Sequence, residues 1–162
     1  MPASGTSGRL GGSDMRALNW LALAAGLLAS PAFASHHGSV QDCWEPAFTA
    51  GDAEAVAACY AEDAVLWLPG APAMQGRDEI RAGYADFFDK FQIESMVLEE
   101  AGRTELGDDA ASWGRFTLTM VSREDGQQIV EVGRYTDVSR KVDGEWVYVV
   151  DHASDDPPPP AE

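Results

Sequence analysis

The residues most able to do chemistry can be placed relative to one another by two Asp-Gly dipeptides, Asp125-Gly126 and Asp143-Gly144. Such pairs favour tight primed hairpin turns, whose twist matches antiparallel strands. A two-residue loop at Asp143-Gly144 pairs Val142 with Glu145, so Thr136 falls opposite Asp151 and Tyr135 opposite His152. The same rule at Asp125-Gly126 pairs Glu124 with Gln127, Arg115 with Thr136 and Phe116 with Tyr135. One face of the three strands then carries Arg115, Thr136 and Asp151. The other carries Phe116, Leu118, Tyr135, Asp137, Tyr148 and His152. A guanidinium, a hydroxyl and a carboxylate in one row can bind and orient a small polar group. Asp151 and His152 are the acid/base candidates. Arg115 with Asp151 also fits a plain cross-strand ion pair, His152 also fits a sheet or interface histidine, and a one-residue bulge would break the row.

Two cysteines, Cys43 and Cys59, stand 16 positions apart in the first helical stretches. They suit either a disulfide across a helical pair or two buried thiols. With no CxxC and no histidine at ligand spacing they give no metal signature, and no metal is assigned. No Gly-rich phosphate loop or Ser-centred elbow occurs, so no cofactor is assigned.

The elements that would position these residues run from helix to strand. Helices are expected around Val40–Ala50, where Pro46 should kink the helix or delay its start, and over Ala53–Ala61 with Asp52 as N-cap. A third spans Arg77–Phe91, where Ile80, Tyr84, Phe87, Phe88 and Phe91 form one apolar face. Val65–Leu68 reads as a short strand stopped by Pro69-Gly70, followed by loop to Gly76. Ile93–Glu100, Arg103–Leu106, Ala110–Ser122, Gln127–Arg140 and Glu145–Ala153 read as strands. Trp67, Trp146, Phe87 and Phe88 are expected in the core. Helices first and a meander afterwards make an α+β domain with its helices on one sheet face.

The 162 residues suffice for one domain, and 27 acidic against 11 basic residues give a formal charge of -16. That balance repels phosphate backbones and anionic lipid heads, so nucleic acid is not an expected partner. From Met15 the sequence MRALNWLALAAGLLASPAFA has a basic start, an apolar run from Leu18 to Ala29 and an Ala32-Phe33-Ala34 cleavage site. These are the parts of a secretory signal, and the run is too short for a stable membrane anchor. Residues 1–34 are therefore expected to be removed after Ala34, with Met15 an alternative start, giving a periplasmic or secreted protein. The domain occupies residues 35–154, and the Pro-rich tail 155–162 is expected to be disordered.

Several segments together resemble the SnoaL-like, ketosteroid-isomerase-like group of the nuclear transport factor 2-like superfamily. They are Ala47–Ala55 (AFTAGDAEA), Tyr60–Val65 (YAEDAV), Gly76–Ile80 (GRDEI), Asp143–Trp146 (DGEW) and Asp151–Ser154 (DHAS). The resemblance implies a cystatin-like conical barrel, a strongly curved antiparallel sheet wrapped around N-terminal helices with a pocket at its wide end. It also implies a homodimer through the outer sheet face, for which Phe116, Tyr135 and Tyr148 are the expected contact row. Carried over residue by residue, the isomerase's oxyanion tyrosine falls on Trp44, its base on Leu68 and its protonated aspartic acid on Thr136. A supporting pocket tyrosine matches Tyr84. Steroid isomerisation by that route is therefore not expected. The implied ligand site consists of Trp44, Leu66, Leu68 and Tyr84 as walls, with Arg115, Thr136 and Asp151 as the polar cluster, and takes a small apolar or aromatic molecule. Three functions follow as alternatives: an exported small-molecule binder, an enzyme of isomerase, cyclase or dehydratase type using Asp151, or a homodimeric assembly module with a vestigial pocket.

Overall fold

The computed structural model describes residues 38–156. The signal-like segment 1–34 and the tail from 157 lie outside the described residues. Two helices open the domain, α1 (Gln41–Ala50) and α2 (Ala53–Ala58). Pro46 sits within α1, on its exposed side, where the carbonyl it leaves unpaired meets water rather than the core. Gly51 closes the helix at φ 69°, a left-handed position that favours glycine. Asp52 caps α2 as expected, its carboxylate accepting the Ala55 N–H at 3.0 Å. The Cys43–Cys59 disulfide ties the two helices together, with Cα atoms 5.9 Å apart.

Strand β1 (Tyr60–Trp67) starts earlier than expected, because α2 stops at Ala58 and Tyr60 already pairs with the last strand. The loop after Pro69 contains a two-residue strand, β2 (Met74–Gln75), before α3 (Arg77–Lys90). Arg77 donates two hydrogen bonds to the Tyr60 carbonyl, at 2.9 and 2.6 Å, where the β1 ladder is irregular. This fixes Tyr60 from the helix side.

Four long strands follow: β3 (Phe91–Leu106), β4 (Asp109–Ser122), β5 (Gln128–Val142) and β6 (Glu145–Asp155). The two short strands expected over 93–106 are one strand carrying bulges between Ile93 and Ser95 and between Glu100 and Gly102. The sheet order is β2-β1-β6-β5-β4-β3, antiparallel except where β1 runs parallel to β6, and its edges do not close. Its inner face carries Phe116, Leu118, Met120, Trp146 and Tyr148, which pack with Trp44, Phe48, Ile80, Tyr84 and Phe88 of the helices. Phe87 is partly buried against this core. Trp67 is 49% exposed and lies outside it.

The hairpin turns differ from each other. Asp143 and Gly144 both take positive φ, 53° and 90°, as a two-residue primed turn requires, and Val142 pairs with Glu145. At Asp125-Gly126 only Gly126 is left-handed, and Ser122 and Asp125 hold a longer loop through the Ser122 Oγ. That loop moves the β4–β5 register by two residues: Arg115 meets Arg134, Phe116 meets Gly133, and Trp113 meets Thr136. A two-residue shift leaves every side chain on its expected face.

The second departure has the opposite effect. Between Val138 and Ser139 the β5–β6 register slips, leaving Val149 as an extra residue on β6. Asp151 therefore pairs with Asp137, not Thr136, and His152 pairs with Thr136, not Tyr135. Phe116, Tyr135 and Tyr148 are 8%, 7% and 3% exposed on the inner face, so they cannot form the outer contact row expected of them. Asp155 ends β6, which places the first residue of the expected tail inside the sheet.

Candidate functional site

Between the helices and the inner sheet face lies a cavity of about 360 Å³. Its helix side comes from Trp44 and Phe48 of α1 and Tyr84 and Phe87 of α3. Its sheet side comes from Phe116, Leu118, Tyr135 and Tyr148. Two glycines let rings lie flat against the sheet. A Cβ on Gly114 would stand 2.7 Å from the Tyr135 ring, and one on Gly133 would stand 2.6 Å from the Phe116 ring. The exposed lining residues Pro69, Gly70, Ala71, Glu131 and Asp155 mark the mouth.

Two carboxyl groups enter this apolar space side by side. Asp137 and Asp151 are cross-strand partners on β5 and β6, and both line the cavity. Asp137 is 1% exposed, and burial pushes its carboxyl up to about 7, against the Ser112 hydroxyl, which donates to its Oδ1 at 2.7 Å. The neighbouring Asp151 charge raises it further, while Arg103 acts in the opposite direction. Asp151 is pushed up to about 6 by burial, offset by the Tyr60 hydroxyl, which donates to Oδ2 at 2.6 Å. Two carboxyls with different partners, both titrating near neutrality, can hold one proton between them and act as acid and base.

Behind Asp151 runs a chain of donors. The Trp44 indole N–H donates to the Tyr84 hydroxyl at 3.3 Å, and the Tyr84 and Tyr60 hydroxyls share a hydrogen bond at 2.9 Å. Because the Tyr60 proton is committed to Asp151, Tyr84 supplies the proton of the middle bond. Every donor thus points toward the carboxylate. Both tyrosines are buried and their hydroxyls held well above the ordinary phenol range by desolvation, so they remain protonated. On the Asp137 side, the Tyr135 hydroxyl and the Gln41 amide nitrogen are buried and without a hydrogen-bond partner of good geometry among the described residues. The Gln41 side chain lies close enough to favour the ionised forms of both Asp137 and Tyr135, but its nitrogen closes no bond of good geometry.

Trp44, Leu68, Tyr84 and Asp151 line the cavity as expected. Leu66 is fully buried in the core and does not line it. Arg115 and Thr136 are on the outer face: Arg115 pairs with Asp156, which Arg134 also holds at 3.1 Å. His152 is exposed beside Thr136, with the edge of Trp67 at 6.0 Å between ring centroids. It stands away from any cavity acid, which removes it from the acid/base pair. Asp137 is the site residue that the sequence reading misses: alternation groups it with Phe116 and Tyr135, whereas the expected site lies on the opposite face, with Arg115 and Thr136. The isomerase acid position was carried to Thr136, which faces outward; the interior side chain next to it is itself an acid.

A SnoaL-like domain profile matches residues 40–149. Among solved structures, a ketosteroid isomerase-like protein from Erwinia carotovora atroseptica is 26% identical with a TM-score of 0.67, covering 74% of this chain and 92% of that one. A putative calcium/calmodulin-dependent protein kinase II association domain from Xanthomonas campestris is 27% identical with a TM-score of 0.59, covering 72% and 83%. A putative dehydratase of the NTF2-like family from Streptomyces avermitilis shares the fold at 20% identity and a TM-score of 0.57, covering 72% and 92%. No curated protein is similar enough to match. The profile covers the helices, most of the sheet and the cavity lining as far as Tyr148, and the chain belongs to the SnoaL-like domain family.

Proposed function

We propose that this chain is an exported small-molecule-binding protein whose cavity holds an apolar or aromatic ligand with its polar end against Asp137 and Asp151. The observation that carries this reading is the pair of carboxyls on facing register positions inside an aromatic-walled cavity. Burying two acids costs stability that Arg103 offsets only in part and only at Asp137, and such a cost is expected to be retained where a ligand or reaction uses it. Export rests on the signal-like residues 15–34 and is supported by the Cys43–Cys59 disulfide, since such bonds persist in oxidising compartments. Dimerisation through the outer sheet face is part of the same proposal. Its support moves to Val97, Trp113, Val130 and Val132, which are 42–57% exposed.

The test is a thermal-shift and calorimetric screen of small aromatic and alicyclic compounds, followed by Ala153→Phe. Ala153 lines the cavity and is partly buried, so a phenyl ring there fills ligand space. Affinity for a hit should fall by at least about tenfold. A hit bound equally well by a folded Ala153→Phe variant would show that it sits elsewhere.

The acid pair also favours a second reading, an enzyme moving a proton on its ligand, in keeping with the isomerase-like and dehydratase names of relatives. Asp137, protonated below about pH 7, would donate and Asp151 would accept. Solvent deuterium entering a bound ketone, and ceasing to do so in Asp137→Asn, is the expected sign. Unchanged exchange in that variant would remove Asp137 from the reaction.

A further inference from the structure

The charges around the cavity are one-sided. Among the described residues Glu131, Asp137, Asp151 and Asp155 line it, and no lysine, arginine or histidine does. Arg103 stacks at 4.9 Å over Trp146 and bonds Glu105 through Nε; its charge favours the ionised form of Asp137, but the side chain does not line the cavity. Arg115 and Arg134 hold Asp156 on the far face. An anionic ligand would enter against four carboxyl groups with no cation in the lining to meet it. A neutral one would leave the two rim acids without a role.

We propose that the ligand is a lipophilic organic cation, an amine with an aromatic or alicyclic body, seated with its charge against Asp137 and Asp151. This rests on the small-molecule reading above and names the ligand class. Trp44, Tyr84, Tyr135 and Tyr148 line the same space and offer π faces, which attract ammonium groups most strongly when water is excluded. The Tyr135 hydroxyl, on a side chain 7% exposed, has the Gln41 side chain beside it but closes no hydrogen bond of good geometry among the described residues, which leaves its oxygen able to meet a ligand. Glu131 and Asp155 at the mouth, on a chain of formal charge -16, draw cations inward.

Binding of such a ligand strengthens as pH rises, because ionised carboxylates hold the ammonium. The groups facing Asp137 are Gln41 on α1, Arg103 on β3, Ser112 on β4, Tyr135 on β5, and Tyr148 and Asp151 on β6. Those facing Asp151 are Tyr60 on β1, Tyr84 on α3, Tyr148 on β6 and Asp137 on β5. The tyrosines among them are held high and keep their protons between about pH 5 and 8, while Glu131 at the mouth, raised by burial and by Asp155, adds to the same trend.

The experiment compares three probes that share a phenylalkyl body on the purified full chain by calorimetry: phenylbutyl-trimethylammonium, phenylbutanol and phenylbutanoate. The ammonium has a fixed charge, so any pH dependence belongs to the protein. At about pH 8 it should bind at least about tenfold tighter than the alcohol, and the preference should shrink toward unity near pH 5. The carboxylate should bind weakest. Asp137→Asn with Asp151→Asn should abolish the ammonium preference in a protein that still unfolds cooperatively, and Asp86→Asn, on the exposed side of α3, should leave it unchanged. Alcohol or carboxylate binding as tight as the ammonium at pH 8 would overturn the cation assignment while leaving the small-molecule reading standing. No binding of any of the three would count against both.

Discussion

Replacing Asp137 by Asn should make the protein more stable above neutral pH and leave it nearly unchanged in acid. In the unfolded chain this carboxyl has an ordinary value of 3.8; in the folded protein burial lifts it to about 7. The folded state therefore holds the proton more tightly, and between those values it binds more protons than the unfolded state. Stability then falls as pH rises through that window and levels off above it. A rise from 3.8 to about 7, at about 1.4 kcal/mol per pH unit, corresponds to about 4 kcal/mol lost on ionisation. That figure is a ceiling, because part of the lift comes from the Asp151 charge, which can relax by taking up the proton itself. Asn keeps an oxygen for the Ser112 hydroxyl, which donates at 2.7 Å, and never ionises. Urea unfolding of both proteins at intervals from about pH 3 to 8.5 gives the difference directly. The curves should coincide only below the unfolded value of 3.8, already differ by about 1 kcal/mol near pH 4.5, and diverge by about 2–4 kcal/mol in favour of Asn at pH 8.5. A difference that stays flat with pH, or a variant less stable than the parent at pH 8.5, would refute the buried-acid assignment.

Three further outcomes follow from other contacts. Tyr60→Phe removes the donor that lowers Asp151, so the Asp151 carboxyl should titrate higher than about 6, readable by carbon NMR of labelled aspartate; an unmoved titration would break the link between them. Reducing the Cys43–Cys59 bond, which spans 16 positions, should cost about 3 kcal/mol by loop entropy, seen as a lower urea midpoint, and an unchanged midpoint would contradict it. Val132→Arg places a charge in the centre of the exposed patch opposite Thr117, so light scattering should show a dimer become a monomer; a parent already monomeric at micromolar concentration would end the dimer proposal.

Fold class and element order were legible because they rest on long periodic signals. The apolar positions of α3, the Asp52 cap and the primed turn at Asp143-Gly144 each act within a few residues, and each stands where the sequence placed it. The β4–β5 loop did not follow the two-residue rule, because Asp125 keeps a negative φ and its side chain accepts the Gln127 N–H instead. That error was harmless to the site, since its shift was even.

Strand β6 was different, because one extra residue reverses everything beyond it. Alternation alone already separates Phe116, Leu118, Tyr135 and Tyr148 from Arg115, Thr117, Arg134 and Thr136, and an interior of aromatics against an exterior of arginine and threonine is the face choice that burial favours. Asp137 alternates with Tyr135, so it follows its ring inward without any knowledge of the turn. Asp151 lies three residues after Tyr148, an odd step, so an unbulged strand sends it outward. The ladder resolves this at Val149, where the β1 register also breaks between Tyr60 and Val65. The coincidence is physical: with β1 and β6 both irregular there, Tyr60 is carried under the sheet, close enough for its hydroxyl to reach Asp151 at 2.6 Å. The bulge thus creates the carboxyl pair and supplies one member with its donor. A residue count along one strand cannot reveal it, because its cause lies on the neighbouring strand and in Arg77, which holds the Tyr60 carbonyl from α3.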